Sequence, residues 1–347
     1  MRSKNISQTQ LARELGVSQA LVSLTLNGRT AGVNPDTYQR IWARAVRLGY
    51  VPKGMRVEAT PDSARVRQFG YILRAPLRLY LPSVYVGHVQ HGLHQELEAH
   101  SHRLVFLGAE DELTPARRRR RFGPAQRPDG VIVLGEVARP FLAELCRLTP
   151  RVVAVSAQYP GTCHSVLGNE PEALGQLVDH LVSLGHRRIG WLGGNACLER
   201  HDARLAAFRA ALARQGLALA PRYKVVLHEA DRAEGAEAIH ALLPQSRRRD
   251  FPTAFVTSNT PMAAGAILAL QRAGRKVPAD ISLAAADVSR LSVEGPRRIT
   301  GAGTSPDQLG IAAARLILGE GVPAEGYADL ILPSTLVLGH TTGPARM

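Results

Sequence analysis

The sequence predicts a small all-α N-terminal domain followed by a larger α/β core of two lobes, each built on a parallel sheet. Three observations predict it. Residues 1–52 carry three short amphipathic segments with helix caps and no strand pattern. From residue 68 onward, short apolar runs alternate with helical stretches, the βαβ rhythm of sheets covered on both faces. The 347 residues carry a net charge of +14, and residues 1–67, with eleven Lys and Arg against four Asp and Glu, hold +7 of it. A short basic segment of this kind is an electrostatic footprint for a polyanion, most often nucleic acid.

Taken in order, Ser7 and Gln10 form a capping box that opens the first helix, with Leu11, Ala12 and Leu15 on one face. Gly16 supplies a left-handed stop. Ser18 caps a second helix whose apolar side is Leu21, Val22, Thr25 and Leu26, and Asn27-Gly28 ends it. Two close-packed helices joined by a short turn carrying glycine make a helix-turn-helix. Asn34-Pro35 announces a third helix with Ile41, Ala45, Val46 and Leu48 facing inward, closed by Gly49 and broken at Tyr50-Val51-Pro52.

In the core, strands are expected at 69–73, 104–107, 130–134 and 152–155, with helices at 84–100 and 140–148. The pattern then restarts, with strands at 188–192, 224–227, 254–257 and 281–284 and helices at 172–184, 204–215, 233–243 and 262–273. Two open α/β lobes in series place a ligand in the cleft at the carboxyl ends of their strands.

Other classes are excluded. No stretch approaches the ~18 apolar residues of a membrane span. The segment Met1–Gln8 leads into a charged amphipathic helix rather than an apolar leader, so a cytoplasmic protein is expected. Cys146, Cys163 and Cys197 are odd in number and widely spaced, which fits reduced thiols and neither disulfides nor zinc. Gly193-Gly194 lacks the spacing of a phosphate loop and reads as a turn at a strand end. No catalytic constellation falls on coherent strand ends, so neither an enzyme nor a cofactor or metal is expected. Arg117–Arg121 and Arg247–Arg249 read as solvated faces, and His186 as structural.

The string Leu11-Ala12-x-x-Leu15-Gly16-Val17-Ser18-x-x-x-Val22-Ser23-x-x-Leu26-Asn27, with Val33, Asn34 and Thr37 and then Leu48-Gly49-Tyr50-Val51-Pro52, resembles the LacI family of bacterial transcription regulators. Leu184–Gly194, Arg204–Leu212, Val277–Leu283 and Gln308-Leu309-Gly310 resemble the periplasmic-binding-protein-like core of the same family, two Rossmann-like subdomains. The resemblance implies three parts: a DNA-binding domain at 1–52, a hinge or linker at 53–67, and an effector-binding and dimerisation domain at 68–347. It implies a ligand-controlled repressor whose homodimer binds a palindromic operator in double-stranded DNA.

By position, Gln19, Ala20 and Leu24 fall where the family reads bases. Ser7, Ser18, Val22, Ser23 and Asn27 belong to the same DNA-contacting set, with the hydroxyls and the amide on phosphates. Leu24 stands where the family usually has Arg or another polar residue. In the linker, Arg56 and Ala59 replace the usual Ala and Leu of the minor-groove wedge, so a standard hinge helix is not expected.

Arg204, Asn259 and Asp287 match effector contacts, and Ser156 stands where an Asp often follows a strand of the first lobe. Arg204 is expected to open its helix. Thr260 and Val288 replace family aspartates, giving fewer carboxylates than a sugar site usually has. A carbohydrate is the effector implied, another small polar ligand the alternative. The rival reading is a sugar-receptor-like binding protein without DNA regulation, and the basic helix-turn-helix opposes it. After Gly339 there are no apolar heptads, which argues for a dimer rather than a coiled-coil tetramer.

Overall fold

The computed structural model describes residues 7–26, 33–34, 37, 40–41, 44–45, 66–75, 84–124, 126–149, 151–196, 198–289, 298–321, 323 and 325–346. Asn27, Pro35, Val46 to Pro52, linker residues 53–65 and Cys197 lie outside them. The chain divides into two compact units, Met1–Arg65 and Val66–Met347.

In the first unit, α1 (Gln8–Leu15) and α2 (Gln19–Leu26) form as the caps require. The Ser7 hydroxyl accepts the Gln10 N–H at 3.2 Å, and Gln10 Oε1 accepts the Ser7 N–H at 3.0 Å. Gly16 ends α1 at φ 65°, a conformation that costs a side chain about 1 kcal/mol or more. The Ser18 hydroxyl accepts the Leu21 N–H at 3.2 Å and starts α2. Leu11, Ala12, Val22, Leu26, Ile41 and Ala45 make a minimal buried core. Arg44 clamps Glu14 at 2.8 Å on its surface.

The second unit holds two lobes. The first begins with β1 (Gln68–Leu73), α3 (Val84–Ala99), β2 (Arg103–Ala109), α4 (Pro115–Arg121), β3 (Gly130–Leu134), α5 (Arg139–Leu148), β4 (Val152–Val155) and β5 (His164–Gly168). The second contains α6 (Glu170–Ser183), β6 (Ile189–Gly193), α7 (Glu199–Arg214), β7 (Lys224–Val226), α8 (Arg232–Leu242), β8 (Ala254–Thr257), α9 (Thr260–Arg272), β9 (Ser282–Ala285) and β10 (Thr300–Gly303). The chain then returns through α10 (Pro306–Leu318) and β11 (Asp329–Leu332) to the first lobe, and β12 (Thr335–Val337) closes the second.

The sheet orders are β11-β5-β4-β3-β1-β2, all parallel, and β12-β10-β9-β8-β6-β7, parallel except for β12. Strands such as β3 and β6 are buried along their whole length because helices cover both faces.

The lobes are therefore interleaved, not in series as the sequence pattern suggested: the chain crosses between them at 168–170, 303–306 and 332–335. These crossings are tied together. The Asn169 N–H donates to Leu332 O at 3.0 Å, Ser334 Oγ to Asn169 O at 2.9 Å, and Thr304 Oγ1 to Pro333 O at 3.1 Å.

Glycines bring helices close within each lobe. A Cβ on Gly92 of α3 would collide with Asp307 O of α10, and one on Gly310 with Val89 O. Gly235 of α8 and Gly265 of α9 do the same in the second lobe, against Met262 O and Arg232 O. Gly194 also serves close approach, to Ala230, and does not take a left-handed turn. The arginines of α4 stay on a helix with no buried residue, apart from Arg118, which pairs with Glu144 at 2.8 Å. His186 is buried between Thr253, Ser282 and Gly343 O, a structural post.

Candidate functional site

The carboxyl ends of the strands from both lobes face one cleft. Arg74 follows β1, Gly135 and Glu136 follow β3, and Ser156 follows β4. From the second lobe come Gly194 and Asn195 after β6, Ser258 after β8, and Leu198, Arg200, His201 and Arg204 at the start of α7. Together they enclose a cavity of about 100 Å³. Helix α7 begins at Glu199, so Arg204 sits in its second turn rather than opening it. The helix forms that early because Glu136, from the other lobe, accepts the Glu199 N–H at 2.9 Å.

Charge organises the cavity. Glu170, the first residue of α6, receives Arg200 Nε at 3.0 Å on one oxygen and Arg204 Nε at 2.8 Å on the other. Burial pushes the Glu170 carboxyl upward, but the two guanidiniums outweigh it and hold the group below the usual carboxylate range. Arg204 also donates to Ser258 O at 2.6 Å. The Arg200 guanidinium lies 5.4 Å from the Tyr85 ring centroid, a cation–π contact between the lobes. The Tyr85 hydroxyl in turn sits 2.5 Å from the Ser156 hydroxyl. Ser156 is buried at φ 61°, which aims it into the cleft.

Arg74 differs from the other two arginines. It donates to Ala75 O at 3.2 Å and to Asn195 Oδ1 at 3.0 Å, and no described carboxylate lies within ion-pair distance. Burial lowers its pKa, with Glu229 and Glu136 only partly restoring it at longer range. The Glu136 carboxyl is pushed up, chiefly by its own burial. His201 is 6% exposed, and its Nδ1 has no hydrogen-bond partner among the described residues.

Of the four effector-contact residues expected from the sequence, the cavity brings together Ser156 and Arg204. Asn259 caps α9 instead, accepting the Met262 N–H at 2.9 Å and donating to Ala230 O at 2.7 Å. Asp287 is buried and accepts the Thr260 N–H at 2.8 Å. Burial raises its pKa against the pull of Arg204 and the Thr260 bonds. Neither residue lines the cavity.

Sequence reasoning missed Arg74, Glu136, Asn195, Arg200 and His201. Arg74, Glu136 and Asn195 do share a signal, which is position: each stands one or two residues past an apolar run, where a strand delivers the chain to the cleft.

In the first unit, Ser7 and Ser18 are caps, and Gln19, Ala20 and Leu24 face outward, Leu24 at 41% exposure. Ser23 is half-buried. Val22 is a correction: it is fully buried against the core, because the i, i+4 spacing with Leu26 places both on the inner face. Asn27 falls outside the described residues. The described residues hold no cluster of three metal-ligating side chains and no helix long and apolar enough to cross a membrane. Burial pushes the Cys163 thiol up to about 12, as suits an unreactive core cysteine.

Residues 178–342 match the model of a periplasmic binding protein-like domain. The maltose regulon regulatory protein MalI of Escherichia coli K12 is 28% identical over 96% of this chain and 98% of its own length. A transcriptional regulator CelR–cellobiose complex superposes with a TM-score of 0.67 at 19% identity, covering 97% of this chain and 100% of that one. The lac repressor dimer bound to operator and the anti-inducer ONPF superposes with a TM-score of 0.65 at 22% identity, covering 98% and 100%.

Proposed function

This chain belongs to the LacI/GalR family of transcription regulators, and from that premise we propose how its two units divide the work. It is a ligand-controlled repressor and not an enzyme. The first unit lays the opening turn of α2 in the major groove of an operator, with Gln19, Ala20 and Leu24 towards base edges. Ser7, Ser18, Ser23 and Asn27 hold phosphates. Val22 acts indirectly, by fixing the pose of α2 from the core. A homodimer in the cytoplasm reads a palindrome, because one such module covers too few bases to specify a site.

The cavity between the lobes takes the effector, a small carbohydrate-like ligand, with Arg204 and Ser156 touching it. Asn259 and Asp287 hold the N-terminus of α9 in place behind them. The single observation that carries this reading is the cavity formed by strand carboxyl ends of both lobes. A ligand lying there touches both lobes and so can bias their closure, to the extent that it binds one closure state better. The relatives named for operator and cellobiose complexes support DNA and a sugar as the partner classes.

The test is binding of the purified protein to its own upstream DNA at two salt concentrations, with a sugar panel added. Site-specific, salt-sensitive binding altered by one compound is the expected result. Absence of DNA binding at low salt would overturn the reading.

A further inference from the structure

The cavity is lined by three guanidiniums, those of Arg74, Arg200 and Arg204, and by one carboxylate, that of Glu136. A neutral sugar needs acceptors that can take its hydroxyl protons, and here the carboxylates near the cavity already take hydrogen bonds from the protein. Glu170 is held by Arg200 and Arg204 and Glu136 accepts the Glu199 N–H, while Asp287 and Asn259, bonded to the Thr260 and Met262 N–H groups, stand outside the cavity wall. What the cavity has left over is donors and positive charge. Among the described residues, Arg74 is tied only to two neutral oxygens. His201, in the same cavity wall, has a ring nitrogen without a partner among the described residues. A partly buried cation whose carboxylates, those of Glu136 and Glu229, act on it only from beyond ion-pair distance is costly, and an anionic ligand group removes that cost.

Building on the reading of this cleft as the effector site, we infer that the effector carries an oxyanion, a carboxylate or a phosphate on a small polyol. That group sits on the Arg74 fork. Arg74 is thus the specificity-determining residue that separates a charged sugar derivative from its neutral parent. The cavity's small volume suits the anionic end of such a ligand, with the polyol reaching towards Arg204 and Ser156.

The experiment uses the full-length protein and measures melting temperature and calorimetric binding at constant ionic strength. The probes are inorganic phosphate, acetate, D-glucose, D-gluconate and D-glucose 6-phosphate. Phosphate or acetate is expected to raise the melting temperature of the wild type, and the matching sugar derivative to bind about tenfold or more tighter than D-glucose. Gluconate against glucose 6-phosphate identifies which oxyanion fits. In Arg74→Met the response to anions is lost while the unliganded protein melts no lower, which separates lost binding from lost folding. Arg74→Lys keeps the charge without the fork and is expected to retain a weakened anion response.

Equal response of wild type and Arg74→Met to every anion, or D-glucose binding as tightly as its charged derivatives, overturns the inference. Operator binding is scored on the same samples. Arg74-dependent anion binding without DNA binding sinks the regulator reading and leaves the ligand class standing. A neutral sugar that changes operator binding without Arg74 does the reverse.

Discussion

Arg74, at the end of the first strand of one lobe, donates a hydrogen bond across the cleft to Asn195 Oδ1 of the other lobe at 3.0 Å. The acceptor is neutral and sits at φ 58°, a left-handed conformation that Asn and Asp tolerate better than other side chains. An Asn195→Asp substitution keeps the backbone and the geometry and adds a carboxylate at ion-pair distance, which Arg74 lacks among the described residues. It is expected to raise the melting temperature of the unliganded protein and to weaken phosphate binding, because the new carboxylate occupies the guanidinium. A thermal-shift titration with inorganic phosphate reads both. A melting temperature below wild type would mean that Arg74 is already neutralised in the folded protein.

Glu170 makes the opposite case, a buried acid with two arginines. Its removal leaves Arg200 and Arg204 without their ion-pair partner, so Glu170→Gln is expected to cost about 3–5 kcal/mol. Its folded-state pKa lies below the unfolded value, so its contribution is complete above about pH 4.3. That contribution fades as pH falls through the depressed folded value. The gap between wild type and Glu170→Gln in urea-unfolding midpoints is therefore expected to be widest near neutral pH and to narrow in acid. A gap independent of pH would assign the effect to packing rather than charge.

These charged residues explain why the fold was more legible than the site. Strands β1, β3, β4, β6 and β8 are continuous apolar runs, and buried parallel strands have to be. The strands that the pattern does not announce are weaker. Strand β10 is Thr300-Gly301-Ala302-Gly303, whose small residues carry little hydropathy signal, and β11 is an exposed edge. Interleaving of the lobes left no local trace, since α10 reads as an ordinary amphipathic helix whichever lobe it covers. In the site, Arg204 and Ser156 could be placed from family resemblance. Arg74 could not: a lone arginine after a strand looks like a solvated loop residue until the opposite lobe is seen to cover it.

The glycines of α3 and α10 test the helix packing that fixes the first lobe. Gly310 of α10 lies against the α3 backbone, where a Cβ would overlap Val89 O, so Gly310→Ala must separate the two helices. The overpacking is expected to cost about 1–3 kcal/mol, more than the ~1 kcal/mol that alanine adds in helix propensity. Gly87 of α3 is exposed, and a methyl group there would meet no heavy atom within 4 Å, so Gly87→Ala is expected to stabilise by about 0.5–1 kcal/mol. Chemical denaturation of the two variants should move in opposite directions. If both stabilise, the α3–α10 contact is not a tight one.

In the helix-turn-helix, opposite faces of one turn of α2 separate stability from recognition. Val22 is fully buried in a core of only a few side chains, and Val22→Ala is expected to cost about 2 kcal/mol. Hydrogen exchange of the α1 and α2 amides should report that loss, and operator binding should fall with it. Leu24, two residues on, is an exposed apolar side chain on the face proposed to meet DNA. Leu24→Ala is expected to leave stability within about 0.5 kcal/mol and still change operator affinity. Leu24→Arg adds a cation at the groove. It is expected to strengthen non-specific binding at low salt and to steepen the logarithmic salt dependence by about one. Unchanged DNA affinity in both Leu24 variants, with Val22→Ala still impaired, would place the DNA contact on another face of the domain.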